Sequence, residues 1–590
     1  MPPQATGFKG DSQPPQKILL LFLPFWTPLI PPMGIASLKS FLQSNGFEVK
    51  TADANIDKEY KEIFDHYFNT IKKFVPENKR GNFLSIGTDV LRNHLSAHIH
   101  QTTKNEYIEL IKTLVAKTYF VDCSGEQAAE LDGIIKDFYD WERRYLDKLF
   151  DSEKPEVLGI TATKDTLPAT MFAFKYAKQM LPEIKTIMGG PVFSEQLAIG
   201  CPDLEYFAER TESYIDKFVI GEGEFLFLKY LLGELAEDKR IYTREDAHNG
   251  NGETFDYFKL GVPDYSDFSL DHYPYLGAEG STGCHFDCSF CNVPVFFGKF
   301  KLKDVSKTAE EMMQLHRQYG LQLFYMADHM INTFINDLAE EFVRRDASIY
   351  FSAYMRVDNQ GCNKETAGFW RRGGLYRARL GVDSGSQRVL DLMDKCNTPD
   401  RSKAMLSSLA YAGIQTTTYW LIGHPGETEE DFQQTLQLLE ECKNDIWEAE
   451  CEYFNYYYTG QSHSDKWASK RELVYPQSAK KMLIIDKWGV SGEPSREEIF
   501  RRVSRFVQRC NELGIPNPYS INEIHQADAR WQRLHKNAVP PLMAFLNRPA
   551  MITENKQFEN FVTAKNKRRD EGEFGFKSKY YAVDDGSYYS

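Results

Sequence analysis

Three cysteines within eight residues, Cys284, Cys288 and Cys291, constrain this chain of 590 residues more than any other feature. Their CxxxCxxC spacing allows one loop to supply three thiolates to a single iron–sulfur cube, which leaves one iron without a protein ligand. The alternatives are a chance arrangement or a zinc site, but structural zinc sites usually have a fourth ligand and paired CxxC knuckles. His285 is a conceivable fourth ligand, yet it lies inside the loop. The spacing therefore predicts a [4Fe–4S] cluster with one open iron.

The rest of the composition narrows the class of protein. Ten cysteines in 590 residues is too few for a disulfide framework. Acidic residues outnumber basic ones by 84 to 70, so the formal net charge of −14 argues against nucleic acid as a partner. No uninterrupted apolar run reaches the roughly 20 residues of a membrane helix, and the polar N-terminus has no apolar signal core. We therefore expect a cytoplasmic protein with no membrane partner.

The first part of the chain alternates short apolar strands with helices. Residues 17–23 and 47–53 are typical of strands, and residues 33–45 between them have helical spacing. The same rhythm resumes at residues 157–162. This β–α–β pattern predicts a parallel, Rossmann-like sheet. Residues 56–150 are helical by pattern and lack a glycine-rich loop, so we interpret them as a helical insertion.

A second α/β series begins at about residue 276, and its regular βα repetition predicts a closed or partly closed barrel. The predicted organisation is a disordered tail at 1–16, an α/β domain at 17–240 with the insertion at about 56–150, a linker at 241–275, a barrel at 276–470 and a helical C-terminal region at 471–590. The overall fold class is therefore α/β.

Further motifs follow the cysteine loop in a fixed order. They are Tyr325–Met330 at the second barrel strand end, Gly381–Ser386 at the fourth, Lys395, the turn Gly423–Glu427, and a fainter match at Gly460–Ser462. Together with the cysteine loop they resemble the radical S-adenosylmethionine (SAM) superfamily, specifically its cobalamin-binding (class B) members, over roughly residues 17–465. The resemblance implies a partial (βα)6 barrel in which the open iron chelates SAM, and reduction then cleaves SAM to a 5′-deoxyadenosyl radical.

The resemblance also implies which residues contact SAM. Phe290, the aromatic residue before the third cysteine, is expected near the adenine. Asp328 is the one acidic residue left of the usual two, since Ala327 fills the other position. Asp383 replaces the usual glutamate of the fourth-strand motif, and Ser384 follows it. Each of these residues has a purely structural alternative, and the sequence assigns no catalytic residue.

The N-terminal half resembles the cobalamin-binding domain of the same class. The implied contacts are Pro32, Gly34, Asp53, Thr161, Thr163, Gly189, Gly190 and Glu222. They fall at the carboxyl ends of parallel strands, where open α/β sheets bind ligands. The DxHxxG motif, which supplies a histidine to cobalt in other cobalamin proteins, is absent. We therefore expect cobalamin without a histidine ligand from the protein; the alternative is a degenerate domain that binds no corrin.

Three functions remain open at this stage. The first is a cobalamin-dependent radical SAM methyltransferase that acts on an unactivated carbon of a natural product or peptide. The second is a radical SAM cyclase, oxidoreductase or peptide epimerase without methyl transfer. The third is a non-enzymatic corrin or metal sensor, which would have no need of an open iron. For the enzymes we expect a small-molecule or peptide substrate and an electron donor such as flavodoxin or ferredoxin.

Overall fold

The structure is a computed structural model, and it describes residues 16–24, 29–101, 103–194, 197–221, 223–247, 260–457 and 465–545. Glu222, Gly460–Ser462 and all but the last residue of the predicted tail lie outside the described residues. Two six-stranded sheets organise the chain.

Six parallel strands form the N-terminal sheet. They are β1 (Lys17–Phe22), β2 (Glu48–Asp53), β3 (Val157–Thr161), β4 (Lys185–Gly189), β5 (Lys217–Ile220) and β6 (Ile241–Thr243). Their spatial order is β2-β1-β3-β4-β5-β6, with parallel pairing throughout. The order reverses between β1 and β3, and ligands bind at such a switch point in doubly wound sheets. Strand β6 extends the sheet three residues into the predicted linker.

Helices cover both faces of this sheet and form the insertion. They are α1 (Met33–Ser44), α2 (Lys58–Phe74), α3 (Phe83–His100), α4 (Lys104–Tyr119), α5 (Gly125–Glu153), α6 (Leu167–Met180), α7 (Pro202–Arg210), α8 (Gly223–Leu231) and α9 (Arg244–Ala247). Helices α2 to α5 are the insertion, and α5 begins with a capping box between Ser124 and Gln127. The insertion reaches the second sheet, because the Asn82 side chain donates to the carbonyl of Cys451 (3.3 Å).

The second sheet is a partial barrel. Its strands are β7 (Tyr275–Ala278), β10 (Leu323–Met326), β11 (Tyr350–Arg356), β12 (Leu375–Asp383), β13 (Gln415–Ile422) and β14 (Glu448–Tyr453), with the short antiparallel pair β8 (Ser281–Thr282) and β9 (Lys301–Leu302) between β7 and β10. The parallel order runs β7-β10-β11-β12-β13-β14. The cysteine loop lies between β8 and β9, at the carboxyl end of the first barrel strand.

Helices surround the barrel and form the C-terminal region. They are α10 (Val293–Phe296), α11 (Val305–Tyr319), α12 (Ile335–Arg344), α13 (Lys364–Arg372), α14 (Gln387–Leu392), α15 (Pro399–Tyr411), α16 (Glu429–Glu441), α17 (Asp465–Ala468), α18 (Arg496–Leu513) and α19 (Ile521–Leu534), with a hairpin of β15 (Arg471–Leu473) and β16 (Trp488–Val490). A buried ion pair from Arg502 to Glu427 (2.7 Å) joins α18 to the barrel.

This architecture confirms the predicted fold class: a Rossmann-like domain, a partial six-stranded barrel and a helical C-terminal region. The domain boundaries themselves remain predictions. Within the described ranges, no helix is long and apolar enough to cross a membrane.

Candidate active site

The three cysteines of the loop line one cavity of about 250 Å³ at the mouth of the barrel. Strands β11, β12 and β13 contribute Arg356, Asp383 and Tyr419 to the same cavity. In the part of the chain that the structure describes, no three histidine, cysteine or acidic side chains converge on a single-ion site. Thiols spread around one cavity suit a cluster, because each cysteine of a cubane binds a different iron. The donor set therefore fits a [4Fe–4S] cluster with three protein ligands.

Local backbone geometry sets the path of the cysteine loop. Gly283, just before the first cysteine, has a φ of +77°, and a Cβ there would lie 2.7 Å from the carbonyl oxygen of Gly298. Only glycine combines this left-handed backbone with so close an approach. Farther on, Ser289 donates its N–H to the carbonyl of Met393 (2.9 Å). The loop is thus fixed to its own returning strand and to the segment that carries Lys395.

Positive charge lies next to the sulfur atoms. Arg356, at the end of β11, donates through Nη1 to Sγ of Cys288 (3.0 Å), and its guanidinium stacks on the Phe286 ring at 3.7 Å. Burial raises the pKa of the Cys291 thiol to about 12 and also raises the pKa of Cys284. The protein alone therefore keeps these two thiols protonated, and cluster assembly has to release their protons. Local sequence does not reveal this contact, because Cys288 is 68 positions away from Arg356.

Asp383 lines the same cavity and forms an ion pair with Lys395. Both side chains are only 8% exposed. Asp383 also has a φ of +61°, a left-handed conformation that is uncommon for residues other than glycine. A charged pair and a strained backbone at the end of a strand are typical of a binding site rather than of a simple turn.

The other three residues that the resemblance assigned to SAM occupy different environments. Phe290 lines the cavity, with the Lys395 ammonium 5.6 Å from its ring centre. Asp328 instead accepts hydrogen bonds from the N–H of Gly280 and the hydroxyl of Ser281 (2.5 Å), and burial raises its pKa to about 6.

Ser384 shares a hydrogen bond with Thr435 of α16 (3.2 Å). In the described structure, therefore, Asp328 holds the chain that enters the cysteine loop, and Ser384 joins the end of β12 to α16.

A second, larger cavity of about 440 Å³ lies at the carboxyl edge of the N-terminal sheet, above the switch point. Gly34, Thr161, Gly189 and Gly190 line it. Gly190 has a φ of +109°, and a Cβ there would lie 2.6 Å from the carbonyl oxygen of Ala162. The glycine thus lets the backbone turn tightly at the end of β4 and leaves the strand end open to a flat ligand.

The remaining residues assigned to cobalamin lie around this cavity or away from it. Pro32 and Thr163 line an adjoining cavity of about 60 Å³. Asp53 lines neither cavity; it accepts hydrogen bonds from the N–H of Asn55 (2.9 Å) and the hydroxyl of Tyr273, so it caps the turn after β2. Glu222 lies outside the described residues, and its neighbour Glu224 lines the larger cavity.

The two large cavities share a wall. Asn292, next to the last cysteine, lines both of them and donates to the carbonyl of Ser194 in the N-terminal domain (3.0 Å). Phe297 lines the N-terminal cavity, and its ring centre lies 4.3 Å from that of His329, which lines the cysteine cavity; the two rings are tilted by 52°. Sequence reasoning assigned no role to Asn292 or His329, although Asn292 directly follows the third cysteine.

The radical SAM superfamily matches residues 279–439, which contain the cysteine loop and barrel strands β10 to β13. This match implies a [4Fe–4S] cluster, as the cysteine spacing predicts, and SAM, as the resemblance of the motifs implies. One relative is an uncharacterized methyltransferase of Pyrococcus horikoshii, 26% identical over 338 residues that cover 53% of this chain and 70% of the relative. Another is the anaerobic magnesium-protoporphyrin IX monomethyl ester cyclase of Rubrivivax gelatinosus, 23% identical over 50% of this chain.

The chain spans 50–58% of the length of the three cyclases that it matches. Among solved structures, the radical SAM methyltransferase TsrM of Kitasatospora setae is similar over 92% of this chain and 100% of that chain, with a TM-score of 0.57 and 12% identity. That likeness concerns the fold. Together with the matched residues it supports the recognition made from the motifs: residues 279–439 match the radical SAM superfamily, and the chain is similar in fold to TsrM.

Proposed function

We propose that the chain is a cobalamin-dependent radical SAM methyltransferase that acts on a carbon of a small molecule or peptide. The observation that carries this proposal is the shared wall: Asn292 lines both the cysteine cavity and the cavity of the N-terminal sheet. A methyl carrier in one cavity and a radical generator in the other would then reach the same substrate carbon. Such positioning of reactants is a large part of enzymatic rate enhancement.

The residues that line each cavity fit the groups proposed for it. The three cysteines would hold the cluster, with Arg356 next to Cys288, and Asp383 and Phe290 would contact SAM. The glycines at the C-terminal end of β4 and at the N-terminal end of α1 would lie against cobalamin. When bound, these groups supply a carbon radical and a transferable methyl group. The protein itself binds and orients them, and its buried apolar walls exclude water from the reaction.

The relatives support both methyl transfer and its main competitor. The Pyrococcus relative is named a methyltransferase, and so is the cytidylyl-2-hydroxyethylphosphonate methyltransferase of Streptomyces wedmorensis, 25% identical over 49% of this chain. Three relatives are cyclases of a magnesium porphyrin ester. A radical cyclase is therefore the second candidate. For either enzyme we infer a cytoplasmic location and a flavodoxin or ferredoxin as electron donor.

Anaerobic reconstitution with iron, sulfide, SAM, a reductant and hydroxocobalamin tests the proposal. Product analysis in the presence of candidate substrates separates the two functions. Equal amounts of S-adenosylhomocysteine and 5′-deoxyadenosine are expected for a methyltransferase that uses one SAM as methyl donor and another as radical source. Deoxyadenosine alone, with a cyclised product, would favour the cyclase. A reconstituted protein that takes up no cobalamin would contradict the methyltransferase.

A further inference from the structure

His329 is a partly buried histidine with two buried ring nitrogens, and the proposed cofactor sites assign it no role. It follows Asp328 at the end of β10 and lines the cysteine cavity. Both ring nitrogens are inaccessible to solvent, and neither has a hydrogen-bond partner within the described part of the chain. Burial lowers its pKa to about 4, so the imidazole is neutral near pH 7, with one N–H donor and one acceptor.

Leaving these two polar atoms unpaired in the interior is costly. A buried donor or acceptor without a partner loses its hydrogen bond to water and gains nothing in return. By contrast, His94 in the insertion is fully buried, and its ring nitrogens lie 2.9 Å from the hydroxyls of Tyr67 and Tyr107. The fold can therefore supply hydrogen-bond partners to the ring of a buried histidine. His329 differs because its side chain lines a cavity that a ligand can enter.

The position of His329 indicates which ligand supplies the hydrogen bonds that its ring lacks. Its ring contacts that of Phe297 in a tilted arrangement, and Phe297 lines the other cavity. His329 therefore lies where the two cavities meet. Asp383 and Phe290, the candidates for SAM that line the cysteine cavity, both contact Lys395, through the Asp383–Lys395 ion pair and the Lys395–Phe290 contact. A substrate carbon that is reached from both cavities has to lie at their boundary.

We propose that His329 is a substrate-binding residue, whose imidazole hydrogen-bonds to an N–H or O–H group of a small organic substrate held between the two cavities. This inference rests on the proposed function, because it places the substrate where radical generator and methyl carrier converge. It also narrows the substrate class: the substrate carries a polar group close to the reacting carbon, and it fits against the aromatic face of Phe297.

The first test uses the reconstituted enzyme without substrate. His329→Leu removes two unpaired polar atoms, so the barrel should melt about 2–4 °C higher than wild type, a shift on the scale of one unsatisfied group in a domain of about 200 residues. His94→Leu is the matched control and should melt lower, because it removes the hydrogen-bond partner of the buried Tyr67 hydroxyl. A lower melting temperature for His329→Leu would show that the ring is structural and would overturn the proposal.

The second test asks whether a cofactor uses the ring. SAM affinity and hydroxocobalamin uptake of His329→Leu should lie within about twofold of wild type. A tenfold loss of affinity for either molecule would assign His329 to that cofactor and would overturn the substrate assignment.

The third test uses SAM with a deuterated methyl group and the low-molecular-weight fraction of the source cells, in which the methyl acceptor is identified by its mass shift. For that acceptor, His329→Leu should raise KM at least tenfold, and His329→Gln, which retains a donor and an acceptor, should recover part of the loss. An unchanged KM would overturn the inference. If the wild-type enzyme labels no acceptor, the proposed function fails by itself. The KM of wild type and His329→Leu is then compared for the substrate of the product that the enzyme does form.

Discussion

The ion pair of Asp383 and Lys395 allows a quantitative test of how much a buried charge pair at the barrel mouth contributes to stability. Lys395→Met keeps the length and volume of the side chain but removes its charge. Both partners are 8% exposed, so the Asp383 carboxylate would lose its cation without gaining water. Removing one partner of a buried ion pair typically costs about 3–5 kcal/mol, because the remaining charge is buried without compensation.

The size of this effect can be measured by urea unfolding. With a denaturant slope of about 2–3 kcal/mol/M for a domain of this size, a loss of 3–5 kcal/mol lowers the midpoint by about 1–2.5 M. Tryptophan fluorescence reports the transition, since Trp370, Trp420 and Trp447 are buried in the barrel. The reference is the SAM-free protein, so that ligand binding does not contribute to stability.

Two further variants separate charge from packing. The double variant Asp383→Leu/Lys395→Met removes both charges and should recover most of the lost stability, because an apolar pair often replaces a buried ion pair at little cost. Lys73→Met removes an ion pair with Glu130 in which the partners are 62% and 49% exposed, and it should cost less than about 1 kcal/mol. The reasoning is refuted if Lys395→Met costs no more than Lys73→Met, or if the double variant is as unstable as the single one.

Four other predictions concern the cofactor sites. Replacing Cys284, Cys288 and Cys291 together with alanine should abolish the cluster absorbance and the formation of 5′-deoxyadenosine while the chain still folds; SAM cleavage by this variant would contradict the cluster assignment. Asp383→Ala should keep its iron content but bind SAM about 5- to 150-fold more weakly by equilibrium binding, the loss expected for one buried hydrogen bond. Burial raises the pKa of Asp328 from 3.8 to about 6, so protonation of this carboxyl stabilises the folded state. The contribution of about 3 kcal/mol to the free energy of unfolding is present below about pH 4 and is lost as the pH rises to about 6. The urea midpoint of Asp328→Asn should therefore lack this pH dependence. Among the described residues that line the N-terminal cavity there is no histidine, so paramagnetic resonance of bound cob(II)alamin should show no nitrogen splitting from a protein histidine, and triplet splitting from such a ligand would contradict this expectation.

The features that could be predicted from the sequence are those that depend on neighbouring residues. The cysteine spacing is one of them, because three ligands on one loop lie close together in any fold. The strands of the N-terminal sheet are another. Residues Ile18–Leu21 are all buried, and a continuous apolar run is what a strand covered on both faces of a parallel sheet requires. The order of strands and helices then restricts the fold to a doubly wound sheet followed by a barrel.

The interactions that the sequence did not reveal connect residues far apart in the chain. Arg356 meets a cysteine 68 positions away, and Arg502 meets Glu427 at a distance of 75 positions. Arg356 ends a strand and Arg502 lies on an amphipathic helix, and both positions are equally compatible with solvent exposure. Only the packing of β11 against the cysteine loop, and of α18 against β13, decides that Arg356 is partly buried and Arg502 fully buried.

Asp53, Asp328 and Asp383 show why a residue's position at a strand end is insufficient to assign its role. All three are acidic residues at or just after the carboxyl end of a parallel strand, and the resemblance assigned each of them to a cofactor. In the structure Asp53 and Asp328 accept hydrogen bonds from nearby backbone N–H groups and hydroxyls, and burial raises the pKa of both to about 6. Asp383 lies beside an ammonium in an open cavity. The donors to Asp53 and Asp328 engage these carboxylates within the protein, whereas the Lys395 ammonium pairs with an Asp383 carboxylate that lines the cavity. The role of a strand-end carboxylate therefore depends on which donors reach it first, and those donors come from the three-dimensional packing.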